Sequence, residues 1–151
     1  MCIVIDTCAM HLVFSGSNGD YLPVRDWLVN GHGKMIVGGT TFYKELAKLK
    51  RYTGIIAELS RQRKVVRIDS LVVDEAEKRV KALAPKKDFD DPHLIALIDE
   101  SGCKVLCTED IRSDSYVKNK KFYVKSRRPS IYRSRGHAHL LCDESIVAVC
   151  R

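Results

Sequence analysis

"CIVID", residues 2–6, carries the first and clearest mark of the fold. Four apolar residues in succession suit a strand buried on both faces, as in a parallel sheet, better than a half-solvated strand with alternating character. Asp6 then ends the run with a charge. An aspartate there is either a turn residue or a ligand-facing group, because α/β proteins bind their ligands beyond the carboxyl ends of parallel strands.

Comparable short runs recur at residues 34–39 ("KMIVGG"), 64–68 ("KVVRI") and 104–108 ("KVLCT"). Between them the spacing predicts a helix over 25–33 and helical structure over 41–63, with Thr41 as N-cap and a break near Gly54. A helix over 72–83 is stopped by Pro85. Another over 91–100 buries a stripe of Leu94, Ile95, Leu97 and Ile98 and ends at Gly102. A fifth strand is expected at 121–124, and a last apolar run, "SIVAV", occupies 145–149. Strands alternating with helices call for an α/β fold, a parallel sheet covered on both faces. The 151 residues suit one domain with a real core.

No apolar stretch approaches the roughly 20 residues that span a bilayer, and the N-terminal run lacks the basic n-region of a signal peptide. Six cysteines are present, and Cys2, Cys8, Cys103, Cys107 and Cys150 lie in or beside apolar runs, where free thiols act as small core residues. A reduced, cytoplasmic protein is therefore expected. His137, His139 and Cys142 do not have the ligand spacing of a structural zinc site.

Four acids share one expected location. In a right-handed βαβ unit, strand ends and the starts of the following helices lie at the same sheet edge. Asp6 follows the first strand, Glu45 lies early in the helix after the second, Asp91 opens the helix before the fourth, and Asp110 follows the fourth. Each has an ordinary explanation alone; Asp91 before Pro92, for instance, is a standard helix start. Together, four carboxylates at one edge repel, and such clusters hold a hard cation of the Mg²⁺ or Mn²⁺ type. His93 reads as a helix-surface residue and is assigned no role as base.

The motifs "VIDTCA", "TTFYKELAKL", "DDPHLIALIDESG" and "KVLCTED" resemble, in order, the four acidic motifs of the PIN domain family, over about residues 1–114. The resemblance implies a three-layer α/β/α sandwich with parallel strands in the order 3-2-1-4-5. It also implies a Mg²⁺- or Mn²⁺-dependent endoribonuclease that hydrolyses single-stranded RNA, with Asp6, Glu45, Asp91 and Asp110 as catalytic metal ligands. Asp90 competes with Asp91, which is preferred for its interval to Gly102, and Asp114 is a further candidate carboxylate. Cys8 stands where family members often have Asn or Ser. Many members are toxins of toxin–antitoxin pairs, which makes an antitoxin protein a candidate partner, beside a second copy of the chain. Two alternatives are a catalytically weak PIN-fold scaffold for RNA or protein and a receiver or phosphoryl-transfer α/β domain. The latter usually carries a D-x-D that "DTC" lacks.

The formal net charge of +7 is unevenly distributed, with no acidic residue from 116 to 142. Lys118, Lys120, Lys121, Lys125, Arg127 and Arg128 in this atypical C-terminal tract are the expected RNA-binding residues. Tyr116, Phe122, Tyr123 and Tyr132 are interleaved among them, and cations with flat aromatic faces are what single strands need.

Overall fold

Every residue of β1 (Cys2–Ile5) is buried, because the strand lies in the middle of a five-stranded sheet. In the computed structural model, which describes residues 2–84, 89–142 and 147–151, β1 pairs in parallel with β2 (Lys34–Gly38) on one side and β4 (Val105–Cys107) on the other. Val4 sits opposite both Ile36 and Leu106. β3 (Val65–Ile68) and β5 (Ser130–Tyr132) complete the sheet at its two edges, again in parallel, giving the order β3-β2-β1-β4-β5. The protein is thus α/β with an all-parallel sheet.

The connections are helical. α1 (Met10–Phe14) and α2 (Leu22–Val29) join β1 to β2, and α3 (Thr40–Lys48) and α4 (Thr53–Arg61) join β2 to β3. α5 (Ser70–Leu83) and α6 (Pro92–Ser101) lead to β4, and a short α7 (Asp114–Val117) follows it. Lys64 anchors one connection by donating from Nζ to the carbonyls of Leu28, Val29 and Gly31 at 2.8, 2.8 and 3.0 Å. These are the carbonyls that the end of α2 leaves without helical partners.

Several local expectations need correction. The helical region after β2 starts at Thr40, not at a Thr41 cap, and breaks at Leu49 into a 3₁₀ turn over Lys50–Tyr52 rather than at Gly54. α5 starts earlier than expected, because Asp69 caps it by accepting the Leu71 N–H at 2.8 Å. Pro85 lies outside the described residues, as do 145 and 146 of the last apolar run, whose end forms a turn over Ala148–Cys150. The expected strand at 121–124 is absent. Lys120–Phe122 is a 3₁₀ turn, and the fifth strand is the triplet Ser130–Tyr132, whose Tyr132 ring is fully buried.

α6 is enclosed almost all round. Beside the expected stripe, His93, Ala96, Asp99 and Ser101 are buried as well, which is the character of a central helix and not of a surface one. Gly102 ends it in the left-handed conformation (φ +68°). Cys2 and Cys150 form a disulfide, with Cα atoms 6.3 Å apart. That corrects the reading of both as free core thiols; the turn at the C-terminus brings Cys150 beside the start of β1, where Lys34 Nζ also holds its carbonyl at 2.8 Å. Cys103 and Cys107 do remain buried thiols. Among the described residues no helix is long and apolar enough to cross a membrane.

Gly39 makes the turn from β2 into α3 with φ +89°, and a Cβ there would stand 2.7 Å from Val73 Cγ1. Backbone strain and overlap act together. Gly39→Ala is expected to lower unfolding stability by about 1–3 kcal/mol, read as a lower urea midpoint at unchanged m-value.

Candidate active site

Beyond the carboxyl ends of β1 and β4 lies a pocket of about 380 Å³. Asp6, Glu45, Asp90, Asp91, Glu109 and Asp110 all line it, with Arg112 as the cation among them. The four acids expected at this edge therefore face one space. Glu109 was not singled out from the sequence, although it lies within "CTED".

Asp6 is the most enclosed, at 3% exposure. Its backbone N–H still donates to Cys107 O at 2.9 Å, so the strand pairing carries the carboxylate to the pocket floor. Oδ2 accepts from Thr108 Oγ1 at 2.7 Å and from Cys8 Sγ at 3.0 Å. Burial, and then the charge of Asp6, pushes the Cys8 thiol up to about 12. Cys8 is thus a neutral donor to Asp6 and not a nucleophile.

Glu45 reaches the pocket from α3 and is held on two sides. Thr7 Oγ1 donates to Oε2 at 2.8 Å. His93 Nε2 lies 3.3 Å from the same oxygen, at ion-pair distance though not aligned as a hydrogen bond. Contact with His93 is the main reason that the Glu45 carboxyl sits below its ordinary value. For His93, burial opposes the charged ring, but Glu45 and then Asp91 and Glu77 outweigh it and raise its pKa. At 1% exposure His93 is no surface residue; α5 and the residues around α6 cover a face that the sequence pattern reads as exposed.

Asp91 occupies the N-cap position of α6, yet its side chain makes no capping hydrogen bond. The ordinary explanation for this residue is not realised, and the carboxylate lines the pocket instead. Burial first, then the charges of Asp6, Asp110 and Glu45, push its carboxyl up to about 6, with His93 acting in the opposite sense. Asp110 is different. Arg112 donates to it from Nε and Nη2, both at 3.1 Å, and from its backbone N–H at 2.9 Å. The guanidinium holds the Asp110 carboxyl below its ordinary value.

Asp114, the further candidate, does not line the pocket. It is bound by Arg133 through Nη2 at 2.6 Å and Nη1 at 3.0 Å, with Lys118 at 3.6 Å. Arg133 in turn donates to the carbonyls of Thr108 and Asp110 at 3.0 and 3.3 Å. Its role is therefore to hold the loop after β4, a role with no signal in local sequence because the partners are about 20 residues apart in the chain.

The basic tract divides. Lys118 and Lys125 are paired, Lys125 with Glu100 at 2.6 Å, and Lys121 lies over the Phe122 ring, 5.0 Å from its centroid. Lys120, Arg127 and Arg128 have no carboxylate partner among the described residues. The aromatics expected as base platforms are structural instead. Tyr132 and Phe122 are buried, Tyr116 stacks on Phe89 at 4.2 Å, and the Tyr123 hydroxyl donates to Val117 O at 2.8 Å.

The carboxylate-rich donor set is of the kind that hard divalent cations take. Among the described residues Arg112 is the cation that lines this pocket, while His93, Lys48 and Arg133 act on its carboxylates from outside it. Among the described residues, however, no three His, Cys, Asp or Glu side chains stand together as a ready-made ion cage. The chain matches no protein-family model, no curated protein and no solved structure.

The raised Asp91 pKa has a testable sign. Ionising Asp91 costs folding stability, fully so above about pH 6, and the cost vanishes as the pH falls below the ordinary value of about 3.9. Metal-free Asp91→Asn should therefore be more stable than the wild type at pH 7.5, by about 1–3 kcal/mol. The gain should shrink between about pH 6 and pH 4. Thermal melts in EDTA across that range measure it; a pH-independent difference would assign Asp91 a purely structural role.

Proposed function

We propose that the protein is a Mg²⁺- or Mn²⁺-dependent ribonuclease that hydrolyses phosphodiester bonds of single-stranded RNA, with the three-layer α/β/α arrangement of a PIN domain. The observation that carries this reading is the convergence of Asp6, Glu45, Asp91 and Asp110 on one pocket at the carboxyl ends of β1 and β4, with the pKa of Asp91 raised by burial and then by its neighbours' charge. These four would hold the cation. A divalent ion bound there supplies a more acidic water and neutralises charge growing on the phosphorus oxygens.

The protein's own groups have distinct parts in this scheme. Thr108 and Cys8 orient Asp6, and Thr7 and His93 orient Glu45, so two of the four carboxylates are held in place before any ligand arrives. Such supporting partners commonly matter to metal affinity almost as much as the ligands do. Arg112 shields Asp110 and lines the pocket, where its guanidinium is suited to meet a phosphate. Arg133 fixes the loop that carries Asp110.

A second reading, a catalytically weak PIN-fold scaffold, draws on the same Arg112 pair, since a guanidinium already occupies the Asp110 carboxylate. Cleavage assays separate the two. Wild-type protein should cut 5′-labelled single-stranded RNA with Mn²⁺ or Mg²⁺ and not in excess EDTA. Asp6→Asn, which preserves volume, should lose more than the roughly 10–100-fold seen when a group supporting a metal ligand is removed. Undiminished cleavage in EDTA sinks the metal mechanism, and no cleavage with either ion leaves the scaffold reading.

A further inference from the structure

Asp99 is a buried anion that the acid pocket does not use. It lies near the end of α6 at 1% exposure, eight residues from Asp91. Its Oδ1 accepts the backbone N–H groups of Val124, Lys125 and Ser126 at 3.0, 2.9 and 2.9 Å. Its Oδ2 accepts from Arg79 Nη2 at 2.7 Å, and Arg79 Nη1 reaches Phe122 O at 3.2 Å. Three consecutive N–H groups directed at one carboxylate curl the backbone tightly around it. The side chains of the same segment are left outside, with Val124 71% exposed. A strand at 121–124 is blocked at both ends: Lys120–Phe122 turns as a 3₁₀ helix, and the Val124 N–H is directed at Asp99.

The curled segment shapes a cavity of about 510 Å³, lined by Lys120, Tyr123, Ser126, Arg127 and Arg128. Arg128 also lines an adjoining groove of about 430 Å³, with Lys118, Ser130, His137 and His139 among its walls. Among the described residues no carboxylate lines either concavity. The groove follows β5, whose two ends are fixed by contacts with β4. The Ser130 N–H donates to Lys104 O at 2.8 Å where the strands begin, and Arg133 Nε donates to Thr108 O at 3.0 Å beside the acid pocket. Three extended residues separate these levels, roughly 10 Å. The cavity therefore lies at the far edge of the sheet from the acids, and the groove leads from one toward the other.

We propose that this cavity and groove form a remote track for the phosphate backbone of an RNA strand, and that Asp99 is the positioning residue that builds it. The inference rests on the ribonuclease reading only for the other end of the strand. An RNA that fills both sites must be long enough to span the β5 edge. Short fragments occupy the acid pocket alone and forgo the remote phosphate contacts.

The test compares wild type, Arg127→Gln/Arg128→Gln and Asp99→Asn on single-stranded RNAs of 4 and 15 nucleotides. Binding is read by fluorescence anisotropy in EDTA over a range of salt, and cleavage with Mn²⁺ gives KM and kcat separately. The wild type should bind the 15-mer at least about 10-fold more tightly than the 4-mer. The double variant should lose that advantage and show a salt slope shallower by roughly 1.4, two contacts at about 0.7 each. Asp99→Asn should raise KM for the 15-mer alone and leave kcat in place, although every cation of the track is retained. If Asp99→Asn melts too low to assay, Ser126→Pro removes one donor to Asp99 and should reproduce the KM effect. Equal affinity for both lengths, or an unchanged salt slope in the double variant, overturns the track. Length-dependent binding without cleavage upholds the track and refutes the ribonuclease reading instead.

Discussion

Burial of α6 on nearly every side is the constraint on which the rest of this structure depends. A helix enclosed by the sheet, by α5 and by the segment after α7 has little room for polar side chains without partners, because each such group costs about 1–3 kcal/mol in a protein interior. The helix nevertheless carries His93 and Asp99 in its buried length and Asp91 at its start. His93 is drawn to Glu45 and thereby connects α6 to α3 across the pocket. Asp99 gathers backbone donors from a loop that would otherwise lack regular structure. One enclosed helix thus positions a carboxylate at the acid pocket and organises the basic surface near its other end.

The distribution of charge follows from the same arrangement. Six carboxylates line a pocket at the strand ends, where burial first and then the neighbouring negative charge raise the pKa of Asp91. Asp110 escapes it through Arg112, and Asp114 is withdrawn by Arg133. On the β5 side the sign is reversed, since among the described residues the two concavities there are lined by lysine, arginine and histidine as the charged or chargeable side chains besides Tyr123. Segregating the two signs at separate edges leaves each only partly compensated. A bound cation would relieve the first and a polyanion the second, which is the pairing that the proposed reaction would use.

What the sequence determined by itself was the sheet and its occupied edge. The runs at residues 2–5, 34–38 and 105–107 are apolar nearly throughout, as strands buried on both faces require, and 65–68 supplies a half-buried edge strand. Chain connectivity then sends Asp6, Glu45, Asp91 and Asp110 to one edge, because right-handed crossovers leave no other choice. Asp69 as a cap and Gly102 as a helix stop were equally local features, although the first went unread.

Tertiary structure alone decided the rest, and the reason is that the deciding partners are far apart in the chain. His93 is buried because α3 and α5, which bring Glu45 and Glu77 close to it, cover a face that helical periodicity leaves to solvent. Phe122 and Tyr132 are core, and Tyr116 packs half-buried on Phe89, so none of the three lies open to bases. The fifth strand lies at Ser130–Tyr132 because Lys120–Phe122 forms a turn and Asp99, about 25 residues earlier, captures the N–H groups of residues 124–126. Cys2 meets Cys150 across a separation of 148 residues. Local pattern reports which surfaces of an element are apolar; which of them the chain then covers is settled by packing between elements.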